Sequence, residues 1–165
     1  MATSPITITT VQVRGREESW ASSPGVRRSM LSNRGRDTRL ELALRSRLHH
    51  AGYRYWIHRR PEPAFRCLAD IVFPRLKLAV FVDGCFWHGC PTHGTLPVAN
   101  GDWWRVKLEG NKARDRRNGL YLGARGWTVL RVWEHESVDG MYTSVANTVQ
   151  LLRNLGDWSA FGPFE

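Results

Sequence analysis

Residues 68–94 read LADIVFPRLKLAVFVDGCFWHGCPTHG. Two apolar runs, LADIVF (68–73) and LKLAVFVD (76–83), flank Pro74 and Arg75. Such runs, rich in β-branched and aromatic residues and parted by a short proline-containing break, predict an antiparallel hairpin. Asp70 lies inside the first run and Asp83 closes the second, so the hairpin brings both carboxylates toward one end of the sheet. A carboxylate in apolar surroundings is costly unless it is paired or bound to metal. Two readings of the pair stay open at this level. One is a magnesium site, with hard oxygen ligands held against a phosphate. The other is a helix cap or an ion pair with one of the many arginines.

The loop that follows the hairpin, Gly84 to about Asn100, carries Cys85, Cys90 and His93. Tetrahedral zinc needs a fourth ligand, usually from elsewhere in the fold. His135 is the best candidate, because it directly follows a strand candidate ending Val132-Trp133-Glu134. The plainer alternative is two free buried cysteines and two surface histidines. Cys67 reads as an ordinary buried residue. His88 is spare to the zinc set, and an imidazole that titrates near neutrality suits a general base. Many nucleases of this general shape end the second strand with carboxylate, any residue, lysine. Here the tripeptide is Asp83-Gly84-Cys85, so another group must activate the attacking water, and His88 lies five residues further on.

Beyond the hairpin, residues 38–51 predict an amphipathic helix, with Leu40, Ala43, Leu44, Leu48 and Ala51 at helical spacing. Thr38 and Glu41 fit a capping box and Gly52 a stop. YRYWIH (53–58) predicts a strand, 103–122 a helix, WTVLRVW (127–133) a buried strand and 139–155 an amphipathic helix. The order α-β-β-β-α-β-α predicts an α/β fold, a mixed sheet flanked by helices. Residues 1–25 lack periodicity and read as a mobile arm, 26–158 as the domain and 159–165 as a tail. The basic stretch VRRSMLSNRGR (26–36) could track a phosphate backbone or form a solvated charge run.

The whole chain has 165 residues, a formal net charge of +9 and a pI of about 10.3, which favours an anionic partner such as nucleic acid. No apolar run has the length of a transmembrane helix, and the N-terminus shows no signal-peptide core. Three cysteines argue against a disulfide framework, so a cytoplasmic protein is expected.

The stretches RGRDTRLELALRSRLH (34–49), ADIVFPRLKLAVFVDGCFWHGCPTH (69–93), NKARDRR (111–117) and GWTVLRVWEHE (126–136) resemble the very short patch repair (Vsr) DNA mismatch endonucleases. The resemblance spans about residues 27–155, and FVDGCFWHGCP is its most specific part. It implies a restriction-endonuclease-like fold with a structural zinc. It also implies a magnesium-dependent nick in double-stranded DNA, 5′ of a thymine mispaired with guanine after 5-methylcytosine deamination. Residue by residue, it implies that Asp70 binds Mg²⁺ and that the backbone carbonyl of Val82 also contacts metal. His88 would activate water. Glu41 would reach toward the active site, and Asp115 would support a catalytic histidine or a metal-bound water. Zinc would sit on Cys85, Cys90, His93 and His135, the last commonly cysteine in relatives. Phe86, Trp87 and Trp104 would intercalate beside the mismatch. From spacing alone, Phe86 and Trp87 read equally as core over the zinc.

The sequence departs from the family at Ala69-Asp70, where relatives often carry Pro-Asp, and at Asp83, where some carry histidine. The N-terminal arm differs as well. A monomer acting on DNA in the nucleoid is expected, with other repair proteins as candidate partners. The alternatives are a nuclease of the same fold with another DNA target, in restriction or defence, and a non-catalytic zinc-containing DNA-binding module. Asp70 in an apolar strand together with His88 disfavours the module, since binding alone needs neither.

Overall fold

The computed structural model describes residues 23–25, 28 and 35–155. The expected tail 159–165 and most of the expected arm and basic stretch lie outside the described residues. Helix α1 spans Arg39–His50. Its apolar positions Leu44 and Leu48, one turn apart, are fully buried. Thr38 caps it: the Glu41 N–H donates to Thr38 Oγ1 at 3.3 Å, and the Thr38 hydroxyl donates to Glu41 Oε1 at 3.1 Å.

Strand β1, Trp56–Arg59, starts later than the sequence suggested. The N–H of Tyr53 turns back to the carbonyl of Leu48 at 3.1 Å, and Tyr53 and Tyr55 pack on the core as loop residues. Strands β2, Ala69–Phe73, and β3, Leu78–Asp83, form the expected antiparallel hairpin. Their connection is a 3-10 turn, Pro74–Leu76, closed by Lys77 in the left-handed region at φ 46°. Helix α2, Gly101–Gly123, then crosses to β4, Thr128–Trp133, which pairs parallel with β3. Helix α3, Val138–Leu155, ends the described chain. The four strands lie in the order β1-β2-β3-β4, a mixed sheet as expected.

Strand alternation splits the core in two. Ile71, Phe73, Leu78, Val80 and Val132 meet Leu44 and Leu48 of α1 and Met141, Val145 and Val149 of α3. Val72 and Ala79 point the other way, toward Leu122 of α2 and Trp127. Both sheet faces are therefore covered, and the end of the sheet where Asp70 stands near the start of β2 and Asp83 closes β3 is left for chemistry. No helix among the described residues is long and apolar enough to cross a membrane.

Truncating Leu48, which has no exposed surface, should cost about 2–5 kcal/mol in denaturant unfolding. Leu42→Ala, half exposed on the same helix, should change stability by no more than about 0.5 kcal/mol.

Candidate active site

Asp70 stands at the second residue of β2, and its Oδ2 accepts the Val82 N–H at 2.8 Å. That bond ties the carboxylate to the end of β3. Burial raises the Asp70 carboxyl above its ordinary value. The Val82 N–H works against the rise, Glu41 adds to it and His58 opposes it.

Past β3 the chain winds into a tight loop. The N–H of His88 donates to Gly84 O at 3.1 Å, that of Cys90 to Cys85 O at 2.9 Å, and that of Gly94 to Cys90 O at 2.8 Å. Gly89 sits between the first two turns at φ 61°, in the left-handed region, and a Cβ there would run into the Lys112 side chain. The loop brings Cys85, Cys90, His93 and His135 together, with one ligand atom of each inside 4.8 Å of the others. Cys85 Sγ lies 3.1 Å from His135 Nδ1, Cys90 Sγ 3.6 Å from the same nitrogen, and Cys90 Sγ 3.9 Å from His93 Nδ1. Tetrahedral bonds of about 2.0–2.3 Å place ligand atoms about 3.3–3.8 Å apart; the separations here bracket that span, and two thiols with two imidazoles are a donor set that zinc takes. Burial, with Cys90 adjacent, pushes the Cys85 thiol up. Burial also works on Cys90, but the His93 and Thr92 N–H groups and the His93 ring outweigh it and draw that thiol down. One of the two sulfurs is thus disposed to be a thiolate.

His88 projects from the middle of the loop. Its Nδ1 is 2.6 Å from Asp115 Oδ2 and 3.7 Å from Asp83 Oδ1. With Nδ1–H donated to Asp115, Nε2 is left as the basic nitrogen. Asp83 is buried, and both of its oxygens are taken by Arg131: Nη2 donates to Oδ1 at 2.9 Å and Nε donates to Oδ2. The same guanidinium reaches Asp115 Oδ2 at 3.2 Å. Asp83, expected as a site carboxylate, is therefore engaged as an ion-pair partner, and it steadies the histidine's surroundings rather than offering a free oxygen.

Helix α2 supports this loop along one stripe. Trp104, Leu108 and Asn111 are buried, and Asp115 follows four residues on. Asn111 Nδ2 donates to the Trp87 carbonyl at 3.0 Å. Phe86, Trp87 and Trp104 form one aromatic cluster, with ring centroids 5.1–5.9 Å apart. Phe86 and Trp87 are half-buried, whereas Trp104 is only 2% exposed. Trp104 was expected among the intercalating rings. In this structure it lies beneath the loop as the base on which the other two rest.

A cleft of about 840 Å³ runs between the start of α1 and the loop after β3. Glu41, Val82, Trp87, His88 and Glu134 line it. Glu41 is 5% exposed and heavily engaged. Beyond its capping contacts, Oε2 accepts the Asp37 N–H at 3.0 Å and Arg45 Nη2 at 2.7 Å. Arg45 and then His58 hold the Asp37 carboxyl well below the usual carboxylate range. Glu134 Oε1 accepts the Cys85 N–H at 2.6 Å, pinning the loop to the end of β4.

Comparison with known proteins bears on this arrangement. The family profile described as "DNA mismatch endonuclease Vsr" matches residues 23–93. The chain is 44% identical over 138 residues to the type II nicking enzyme V.NaeI of Lentzea aerocolonigenes, covering 82% of this chain and 83% of that protein. The chain belongs to the Vsr endonuclease family. It is also 45% identical over 119 residues to the type II nicking enzyme V.XorIIP of Xanthomonas oryzae pv. oryzae, covering 71% of this chain and 85% of that protein. It is 33% identical over 100 residues to the DNA mismatch endonuclease Vsr of Escherichia coli K12, covering 60% of this chain and 62% of that protein. It is accordingly a DNA endonuclease, as the resemblance implied.

Four residues at this Vsr-family site were not foreseen: Asp37, Arg45, His58 and Arg131. An arginine four residues after Glu41, and another inside the apolar β4 run, were the available signals. Only the tertiary arrangement shows what they pair with.

The raised Asp70 carboxyl has a thermodynamic consequence. An unfolded aspartate titrates near ~3.9. Above the higher folded value, ionised Asp70 weakens the fold, and that penalty fades as pH falls through the folded value toward the unfolded one. Without magnesium, Asp70→Asn should melt higher than wild type at pH 7, and the margin should shrink as pH drops to about 4. Thermal melts across pH check this; a variant melting lower at pH 7 would contradict the charge burial.

Proposed function

We propose that this endonuclease nicks duplex DNA 5′ of thymine in T·G mismatches. In this reading Cys85, Cys90, His93 and His135 hold a structural zinc, and Asp70 with the Val82 carbonyl holds magnesium. The observation that carries the reading is His88, paired with Asp115 at 2.6 Å and lining the same cleft as Glu41 and Val82. Binding alone does not need an imidazole oriented by a carboxylate at the cleft wall.

Magnesium, when bound, supplies positive charge against the scissile phosphate. The protein's own groups do the rest. His88 Nε2 takes the proton of the attacking water as its oxygen bonds to phosphorus and the bond to the 3′ oxygen breaks, that oxygen taking a proton from solvent, while Asp115 keeps Nδ1 protonated and steadies the imidazolium that results. Arg131 fixes Asp83 and Asp115 around that ring. The +9 charge draws the duplex in. Phe86 and Trp87 wedge into the stack, which costs a few kcal/mol per step and least at a mismatched step. Zinc stiffens the loop that carries both the wedge and His88.

A second reading, a nick at another DNA target, is favoured by higher identity to the two type II nicking enzymes, 44% and 45%, than to the mismatch endonuclease, 33%. Nicking of matched synthetic duplexes separates the two. T·G duplexes should be cut and fully paired ones spared; equal cutting of both would favour the second reading. His88→Ala should lower the nicking rate by about 10²–10⁴-fold with duplex binding retained. Trp87→Ala should lose discrimination for the mismatch more than affinity for paired DNA, and a uniform loss on every duplex would make the ring structural.

A further inference from the structure

Next to Asp70 lies a second convergence of ligand-type groups. Asp37, Glu41 and His58 bring one donor atom each inside 4.8 Å of one another, as metal ligands do. The centre of that group is taken by Arg45. Its Nη1 donates to Asp37 Oδ1 at 2.6 Å, and its Nη2 donates to Glu41 Oε2 at 2.7 Å and lies 2.9 Å from His58 Nε2. Arg45 is 8% exposed, and its Nε finds no partner among the described residues. The side chain leaves one donor unsatisfied to place its fork between the two acids. A guanidinium is permanently charged and matches carboxylates bidentately, so it can do locally what a cation would do.

The backbone agrees. His58 adopts φ 46° in the middle of β1, a conformation unusual for any residue but glycine and for a strand. It lies between the register pairs Ile57–Ile71 and Arg59–Ala69, hence across from Asp70. The turn aims the ring so that Nε2 faces Arg45 and Nδ1 faces Asp70 Oδ1 at 3.9 Å. The same Nε2 lies 3.1 Å from Asp37 Oδ1, so the ring is held between the guanidinium, Asp37 and Asp70. Asp70 itself takes the Val82 N–H on Oδ2.

We propose that Arg45 is a positioning residue: its guanidinium occupies the Asp37–Glu41–His58 group in place of a divalent ion and holds Asp37, Glu41 and the His58 ring in place next to Asp70. This rests on the reading of Asp70 as the metal-binding carboxylate. Neither Glu41 nor His58 is then a metal ligand; both are held by a cation built into the fold.

Metal binding by the zinc-loaded full chain tests this. In Mn²⁺ titrations read by electron paramagnetic resonance, Asp70→Asn should abolish binding and Asp37→Asn should not. Arg45→Ala should gain a Mn²⁺ site that Asp37→Asn removes. Loss of wild-type Mn²⁺ binding on Asp37→Asn would show that the group holds metal itself and would overturn the proposal, even if the Arg45 variants do not fold. Mn²⁺ binding indifferent to Asp70→Asn would sink the Asp70 reading, while the site gained in Arg45→Ala and its loss on Asp37→Asn still decide on Arg45. Arg45→Lys should also slow nicking about 10- to 100-fold.

Discussion

The parallel register between β3 and β4 is the constraint on which the site depends. Pairing runs from Leu78 opposite Thr128 to Asp83 opposite Trp133. In that register Arg131 sits beside Phe81 and reaches Asp83, and the Glu134 N–H bonds the Asp83 carbonyl at 3.0 Å. The next residues meet one step further on: Glu134 takes the Cys85 N–H and His135 meets the Cys85 sulfur. A one-residue slip would turn every side chain to the opposite face. Arg131 would leave Asp83, and His135 would leave the cysteines. The apolar β3 and β4, packed on both faces, hold the register against such a slip.

The loop built on that register places two kinds of group side by side. Trp87 is held through its carbonyl by Asn111, and the very next residue, His88, is held by Asp115 one helical turn later. Whatever displaces Trp87 therefore acts on a segment whose neighbour is tied to the same helix. On the proposed reading, this is how a weak base pair and the scissile phosphate are tested within one rigid unit. The aromatic base under the loop, Trp104, adds stiffness without reaching the surface.

Much of this was legible in the sequence because the signals are local. The hairpin, the two amphipathic helices and the β4 run follow from periodicity and turn residues within short windows. The Cys85-Cys90-His93 spacing and the strand-end position of His135 were enough to bring the four donors together on paper, and the fold does the same. Apart from the Arg45–Glu41 and Arg45–Asp37 pairs, the contacts of the residues that were missed span separations no short window covers. His58 meets Arg45 across 13 residues and Asp37 across 21, and Arg131 meets Asp83 across 48. Glu41 had two readings, cap and site residue. The structure gives its carboxylate to the cap and to Arg45 while leaving it on the cleft wall. Trp104, expected among the intercalating rings, is buried in this structure, and its spacing to Leu108 and Asn111 marks the buried stripe of α2.

X-ray absorption at the zinc edge tests most directly whether the β3–β4 register delivers a metal clamp. The protein as purified should contain one zinc per chain, with two sulfur neighbours at about 2.3 Å and two nitrogen neighbours at about 2.0–2.1 Å. His135→Ala should remove one of the nitrogens. A spectrum with only oxygen and nitrogen neighbours, or one unchanged by His135→Ala, would contradict the clamp and with it the fixed geometry assigned to His88 and Trp87.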